Sequence, residues 1–260
     1  MTERIPFIAG NWKMNLDHLQ AIALIQKLCW TLNDADHDWA KVEVAVFPPF
    51  TSLRSAQTLI ESERFEVKLG AQDISAQESG AFTGEVSGQM LSKLNSEYVL
   101  IGHSERRQYH NETDEVVNAK VAAAFKNGIT PVICVGETLE ELESQGQSAV
   151  PVAQTLAALS GHDSLSEFVI AYEPVWAIGT GKIATPQEAE DVASAIRKAL
   201  ADNLGDVAAN SRILYGGSVK AANVAGFLQS DQVDGVLVGG ASLDAEEFSG
   251  ICRYQKHIVL

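Results

Sequence analysis

Eight short, nearly continuous apolar runs divide this chain, and segments with apolar residues at three- and four-residue spacing lie between them. Short apolar runs are typical of strands buried on both faces, whereas the wider spacing indicates amphipathic helices. The predicted strands are Ile5–Ala9, Val42–Phe47, Val67–Ala71, Tyr98–Ile101, Thr130–Val135, Phe168–Tyr172, Arg212–Tyr215 and Val233–Val238. The predicted helices are Leu16–Leu32, Ser52–Glu61, Glu115–Lys126, Val150–Leu159, Pro186–Leu204, Ala221–Leu228 and Ala245–Tyr254.

This alternation predicts an α/β fold with a parallel sheet, because strands connected through helices are joined by right-handed crossovers. Eight units fit either an open doubly wound sheet or a closed (β/α)8 barrel. The number of strands and the length of 260 residues favour the barrel. No Pro-, Gly- or Ser-rich linker interrupts the pattern. We therefore predict a single domain over residues 1–260.

The composition narrows the classes of partner. A formal net charge of −15 argues against nucleic acid, which needs a basic face to displace counterions. No segment approaches the apolar length of a membrane span, and the first residues do not resemble a secretory signal, so we expect a cytoplasmic protein. The three cysteines, Cys29, Cys134 and Cys252, lack the spacing of metal ligands. The cysteines therefore give no sign of a metal site.

Polar residues follow three of the predicted strands, at the end where the chemistry of a (β/α)8 barrel collects. Asn11 and Lys13 follow the first strand, His103 and Glu105 the fourth, and Glu173 the sixth. In so acidic a chain, Lys13 is a candidate partner for an anion, although an ordinary surface lysine fits the same pattern. A helix N-terminus beside His103 disfavours imidazolium, which predicts a neutral ring.

The segment after Glu173 is too apolar for an ordinary surface loop. Pro174 ends the strand because it has no N–H for the sheet, and the residues that follow mix apolar side chains with two glycines. Such a segment suits a lid that closes over a site and excludes water. The alternative is a plain connection with a solvated Glu173. The predicted lid consists of Pro174, Val175, Trp176, Ala177, Ile178, Gly179, Thr180, Gly181 and Lys182.

Two glycine pairs mark the ends of the last two strands. Gly216-Gly217 precedes Ser218, and Gly239-Gly240 follows the eighth strand. Adjacent glycines let the backbone approach a ligand closely, and each pair precedes a helical pattern whose N–H groups attract anions. One pair alone usually marks a turn. Two pairs at these positions predict a phosphate site.

The longest connection without predicted structure runs from Gln72 to Ser87 and carries Phe82 and Thr83 near its middle. A loop of this length inside a compact domain usually has a function. Its exposed residues are suited to insertion into a partner subunit. The alternative is a flexible surface excursion.

Four segments together resemble the triosephosphate isomerase family. They are GNWKMN (Gly10–Asn15), GHSERR (Gly102–Arg107), AYEPVWAIGTGK (Ala171–Lys182) and YGGSV (Tyr215–Val219), in the family's order across nearly the whole chain. The resemblance implies interconversion of dihydroxyacetone phosphate and D-glyceraldehyde 3-phosphate through an enediolate, in glycolysis and gluconeogenesis. It also implies a phosphorylated triose as substrate, no cofactor or metal, and a homodimer whose loops interdigitate around Phe82 and Thr83.

The same resemblance implies a role for each candidate residue. Glu173 is the base, and neutral His103 polarises the carbonyl and moves a proton between the two oxygens. Lys13 and Asn11 stabilise the developing negative charge, while Glu105 orients Lys13. The phosphate-binding N–H groups belong to Gly179, Ser218, Gly239 and Gly240.

Two other classes of function fit part of this pattern. A Schiff-base barrel aldolase would use Lys13 as its nucleophile, which requires a desolvated, uncharged amine. A protein that binds sugar phosphates without catalysis would be expected to lack at least one of Lys13, His103 and Glu173, and all three are present.

Overall fold

Eight parallel strands, hydrogen-bonded in sequence order, close into a barrel. This computed structural model describes residues 4–162, 165–177, 183–205, 208 and 210–257. The strands are β1 Phe7–Asn11, β2 Glu43–Phe47, β3 Lys68–Ala71, β4 Tyr98–Ile101, β5 Thr130–Val135, β6 Val169–Tyr172, β7 Arg212–Tyr215 and β8 Gly235–Val238. Closure comes from β1 and β8, which pair in parallel from Phe7 with Gly235 to Gly10 with Val238. The predicted closed barrel with a single domain is confirmed, and the open sheet is wrong.

Helices surround the barrel and alternate with its strands. They are α1 His18–Asp34, α2 Phe50–Glu63, α3 Gly88–Ser92, α4 Ser104–His110, α5 Asp114–Lys126, α6 Leu139–Gln145, α7 Ala149–Leu159, α8 Pro186–Leu204, α9 Val224–Phe227 and α10 Ala245–Cys252, with 3-10 helices at Gly240–Leu243 and Tyr254–His257. None of the helices in the described part of the chain is both long and apolar enough to cross a membrane.

The predicted strands agree with the structure to within two residues at each end, but several helices differ. The pattern over Ala221–Leu228 forms a helix only at Val224–Phe227, because the Lys220 N–H binds the Asn223 side chain at 2.7 Å in a preceding turn. The sequence pattern missed Leu139–Gln145, in which no residue is buried. Without an apolar stripe, a helix leaves no periodic signal.

Two apolar layers hold the barrel. Residues that alternate along the strands point inward and fill the interior, and the residues between them pack against the helices. At the N-terminal end, the Arg212 guanidinium lies 4.8 Å from the Phe7 ring centroid and binds the Glu43 and Glu167 carboxylates. This ion cluster covers the N-terminal end of the interior, and the opposite end is open to a large cavity.

Close packing between the ends of β5 and β6 depends on Gly136. The Glu173 N–H donates to the Val135 carbonyl at 2.7 Å, which brings the two chains together just beyond the strands. A Cβ atom on Gly136 would lie 1.7 Å from the Glu173 carbonyl oxygen, which belongs to the backbone and cannot rotate away. The residue type at position 136 therefore decides whether Glu173 keeps its place.

We predict that Gly136→Ala lowers the Tm by about 2–12 °C, because steric overpacking costs about 1–3 kcal/mol and each kcal/mol shifts the Tm of a chain of this size by about 2–4 °C. Gly226→Ala is the matched control, since its new Cβ would meet the nearest atom at 3.5 Å, an ordinary contact, within α9. Thermal unfolding of both variants at equal protein concentration tests this. Equal Tm values for the two variants would contradict the packing argument.

Candidate active site

A cavity of about 480 Å³ opens at the C-terminal end of the barrel. Parallel strands in a closed barrel all end at this rim, so residues far apart in the sequence meet here. Among the described residues, seven of those predicted to act in catalysis or phosphate binding line this cavity: Asn11, Lys13, His103, Glu173, Ser218, Gly239 and Gly240. The arrangement thus gathers a carboxylate, an imidazole, an ammonium and two glycine turns around one space.

Lys13 projects from the end of β1 in an ion pair with Glu105. Its Nζ lies 2.5 Å from Glu105 Oε1, and its backbone N–H donates to Asn11 Oδ1 at 2.9 Å. Glu105 lies beside Lys13 and does not line the main cavity. The ammonium is therefore balanced by a carboxylate before any anion binds. A paired, charged lysine does not suit the Schiff-base chemistry of an aldolase.

His103 is the N-cap residue of α4, as the sequence suggested. Its Nδ1 accepts a hydrogen bond from the Glu105 N–H at 3.2 Å, and its Nε2 lies 2.9 Å from Glu173 Oε1. Since Nδ1 acts as an acceptor, the neutral ring carries its proton on Nε2. The proton-bearing nitrogen therefore points toward the carboxylate at the cavity wall.

Glu173 is buried and makes two contacts with the start of α4. Its Oε1 faces His103 Nε2, and its Oε2 accepts a hydrogen bond from the Ser104 N–H at 3.0 Å. Burial raises the pKa of Glu173, but the His103 ring and the Ser104 N–H lower it by more, so the net shift of the pKa is downward. In this arrangement the carboxylate is held ionised and is a weakened base.

This contact changes one expectation from the sequence, the neutral ring of His103, and also affects Glu173. Burial lowers the pKa of His103, as expected, but the adjacent Glu173 carboxylate raises it by more, so the net shift is upward instead of toward a neutral ring. The pKa of Glu173 is lowered while the contact lasts, so its carboxylate is a weaker base. The contact of 2.9 Å between the two side chains contributes to both shifts.

The glycine turns surround the part of the cavity away from Glu105. A Cβ on Gly217 would lie 2.2 Å from the Tyr215 hydroxyl, so this turn tolerates only glycine, whereas Gly240 faces open space. Gly239 lies against the Lys13 side chain, since a Cβ there would be 3.5 Å from Lys13 Cε. The Lys13 side chain therefore lies beside the turn at Gly239, within the same cavity as the turn at Gly217.

The helical contribution to this anion site is smaller than the sequence suggested. A 3-10 helix of four residues opens directly at Gly240, as expected of a helix start. After Gly217, however, helix α9 begins only at Val224 and is four residues long. Helix dipoles act through the first turn, so the turn after β7 offers mainly its own N–H groups.

The predicted lid begins in contact with a carboxylate that the sequence analysis overlooked. The Trp176 indole N–H donates to Glu137 Oε1 at 2.8 Å, and the Tyr172 hydroxyl donates to the same oxygen at 2.8 Å. The Ala177 N–H donates to the Pro174 carbonyl at 2.8 Å, forming a turn. Glu137 follows β5, so the rule of examining strand ends would have found it. The remaining lid positions, Ile178, Gly179, Thr180, Gly181 and Lys182, lie outside the described residues.

The tip of the loop from Gln72 to Ser87 is exposed. Its base is closed by a bridge between Ser75 and Ser87, Thr83 is exposed, and Phe82 is 45% exposed. Met14 and Tyr109, which are also exposed, line a neighbouring cavity of about 330 Å³.

Among the described residues, no group of three or more His, Cys, Asp or Glu side chains is placed to hold a metal ion.

Comparisons with known proteins agree with this geometry. A family model described as triosephosphate isomerase matches residues 6–255. The triosephosphate isomerase of Leifsonia xyli subsp. xyli is 63% identical over 98% of this chain and 99% of its own length, and that of Saccharopolyspora erythraea is 55% identical over 95% of each. A crystal structure of the Bartonella henselae triosephosphate isomerase superimposes with a TM-score of 0.86 at 35% identity, covering 96% of this chain and 99% of that one. The chain therefore belongs to the triosephosphate isomerase family.

Proposed function

We propose that the cavity interconverts dihydroxyacetone phosphate and D-glyceraldehyde 3-phosphate by the action of Glu173, His103, Lys13 and Asn11. The observation that carries the proposal is the meeting of a carboxylate, an imidazole and an ammonium beside two glycine turns at one rim. The carboxylate and imidazole suit proton transfer, and the ammonium and backbone N–H groups suit a phosphorylated substrate. Together they match the needs of an aldose–ketose isomerisation.

Glu173 is the base in this reaction. Its carboxylate takes a proton from the carbon next to the carbonyl, leaving an enediolate, and returns a proton to the neighbouring carbon. To reach the substrate, Glu173 must leave His103 Nε2 and the Ser104 N–H, which lie 2.9 and 3.0 Å away. Those contacts lower the pKa of Glu173 and burial raises it, so their loss makes the carboxylate more basic where it acts.

His103 becomes available through the same movement. When Glu173 leaves, Nε2–H is free to donate to the substrate oxygens, while Nδ1 remains bound to the Glu105 N–H. Removing the carboxylate also removes the main influence that raises the pKa of His103, so burial then favours the neutral ring. A neutral imidazole donates to the developing oxyanion and passes a proton between the two oxygens without leaving a trapped charge.

Lys13 and Asn11 stabilise the enediolate, and Glu105 orients Lys13 through the 2.5 Å ion pair. The substrate phosphate lies between the glycine turns and is bound by the N–H groups of Ser218, Gly239 and Gly240. Gly179 joins them when the lid closes. Closure also excludes water, which strengthens these electrostatic contacts and protects the intermediate. Trp176, bound to Glu137, is the anchored end of that lid.

We also propose that the chain works as a cytoplasmic homodimer. The tip residues Phe82 and Thr83 would enter the partner's cavity beside Met14 and Tyr109. Support comes from exposure, since Met14 is 94% and Tyr109 69% exposed, which is unusual for apolar side chains around one cavity.

The aldolase alternative is disfavoured by the Lys13–Glu105 ion pair.

Glu173→Gln should lower kcat by about a hundredfold or more, because an amide cannot take the proton, while affinity for a phosphate-bearing analogue is retained. Glu140→Gln, an exposed change on α6, is the control for the lost charge. Steady-state kinetics and a direct binding titration measure the two effects. Near-normal turnover in folded Glu173→Gln would rule out this base.

Lys13→Met should weaken the affinity for inorganic phosphate and lower kcat, because the substitution removes the ammonium beside Gly239. Lys27→Met removes the same charge from the exposed face of α1 and should change neither quantity. Competitive inhibition by phosphate at constant ionic strength provides the comparison. An unchanged inhibition constant in Lys13→Met would contradict the proposed anion site.

Thr83→Arg should convert the protein from twice the chain mass to the mass of one chain, since its bulky, positively charged side chain would have to enter a cavity that Lys13 and Arg106 already line. Leu139→Arg, at an exposed position on α6 outside this loop, serves as the control. Sedimentation velocity at micromolar concentration distinguishes the two species. A monomeric wild-type protein would exclude the proposed dimer.

A further inference from the structure

Gln72, the first residue after β3, joins the ends of three neighbouring strands. Its side-chain amide nitrogen donates to the Lys13 carbonyl at 2.8 Å and to the Phe47 carbonyl at 2.8 Å. These carbonyls follow β1 and end β2, so one amide group uses both of its hydrogens on backbone oxygens of adjacent strands. In the sequence, Gln72 is recognisable only as the first residue of a long connection without predicted structure.

The contact matters because Lys13 has an unfavourable backbone. Its φ is +53°, in the left-handed region that side chains other than glycine seldom occupy. Such a conformation persists only where the surroundings hold it. Both polar groups of Lys13's backbone are held by side chains, the N–H by Asn11 Oδ1 at 2.9 Å and the carbonyl by Gln72.

Gln72 is itself anchored through its neighbour. Asp73 is buried and binds Lys120 Nζ at 2.6 Å and Arg106 at 2.9 Å. Glu112 binds the same two cations, at 2.5 and 2.6 Å, and completes a cluster of two cations and two carboxylates. Buried ion pairs with several hydrogen bonds lock geometry, because breaking one leaves a desolvated charge. The backbone that carries Gln72 is therefore fixed.

The same cluster also holds the other half of the site. Arg106 belongs to α4, which begins directly after His103 and carries Glu105, the ion-pair partner of Lys13. The residues after β3 thus contact both the segment that carries Lys13 and the segment that carries His103. Gln72 binds the Lys13 segment and Asp73 binds the His103 segment.

We propose that Gln72 is a positioning residue, which holds Lys13 in its left-handed conformation so that the ammonium enters the cavity next to Glu105 and Gly239. The proposal rests on the role given to Lys13 under the proposed function. Gln72 acts through Lys13 and does not touch the reacting atoms. Loss of its amide lets the Lys13 backbone relax toward an ordinary conformation, which moves Nζ away from the anion.

Gln72→Met tests the proposal, because methionine keeps the length and volume of the side chain but donates no hydrogen bond. We expect kcat/KM to fall about ten- to a hundredfold, as for a misplaced catalytic group, and phosphate inhibition to weaken as in Lys13→Met. Asn118→Leu is the matched control, since the Asn118 amide also donates to backbone carbonyls, of Ala157, Ala158 and Ser160, at 2.9–3.1 Å. The Asn118→Leu variant should be less stable than the wild type but equally active.

A double-mutant cycle separates positioning from general stabilisation. If Gln72 acts through Lys13, Gln72→Met should have little further effect on kcat/KM in a Lys13→Met background. Full, independent losses in the double variant would overturn the proposal, as would a Gln72→Met variant that behaves like Asn118→Leu. Sedimentation of each variant checks that the oligomeric state is unchanged.

Two further outcomes are distinguishable. Should Gln72→Met fail to fold, Gln72→Asn replaces it, because its shorter side chain keeps the amide but withdraws it from both carbonyls. A several-fold fall in kcat/KM supports the proposal, and wild-type activity refutes it. Normal activity of Lys13→Met itself would refute the proposed function, whereas an inactive Lys13→Met with a fully active Gln72→Met would refute only the role of Gln72.

Discussion

Parallel pairing of β1 with β8 is the constraint on which the rest of this structure depends. A closed barrel has no free edge, and every strand ends at the same rim. Lys13, His103 and Glu173 follow strands that are well separated in the sequence, and closure alone brings them around one cavity. The ion cluster around Arg212 occupies the other end of the barrel.

An acidic chain repels an anion, so the proposed phosphorylated substrate must be attracted by groups at the rim of the barrel. The chain carries a formal net charge of −15, and the Lys13 ammonium is already paired with Glu105. Much of the attraction for a phosphate must therefore come from N–H groups in the glycine turns, whose dipoles do not depend on the net charge. In the proposed mechanism, the ammonium adds a charge at the boundary between the phosphate and the reacting carbons.

In the proposed mechanism, the contact between His103 and Glu173 keeps both groups inactive until the substrate is bound. Each side chain occupies the hydrogen-bonding atom that the other needs for the proposed chemistry, and the pKa shifts of the pair oppose the roles of base and neutral donor. Separation of the pair frees both at once and reverses both influences, since burial then dominates. In the proposed mechanism, substrate entry and lid closure supply that separation, so the groups become reactive inside a dry site.

The eight strands, the rim at which Asn11, Lys13, His103 and Glu173 lie, and the family could be predicted from the sequence, because they follow from local periodicity and from motifs of adjacent residues. The contacts that hold those residues could not, and they are visible only in the folded chain. Gln72 reaches a carbonyl 59 positions away, Glu137 meets Trp176 from another strand, and His103 meets Glu173 at 2.9 Å. Such contacts require that segments far apart in the sequence be placed accurately relative to each other, and a pattern along the sequence contains no information on that placement.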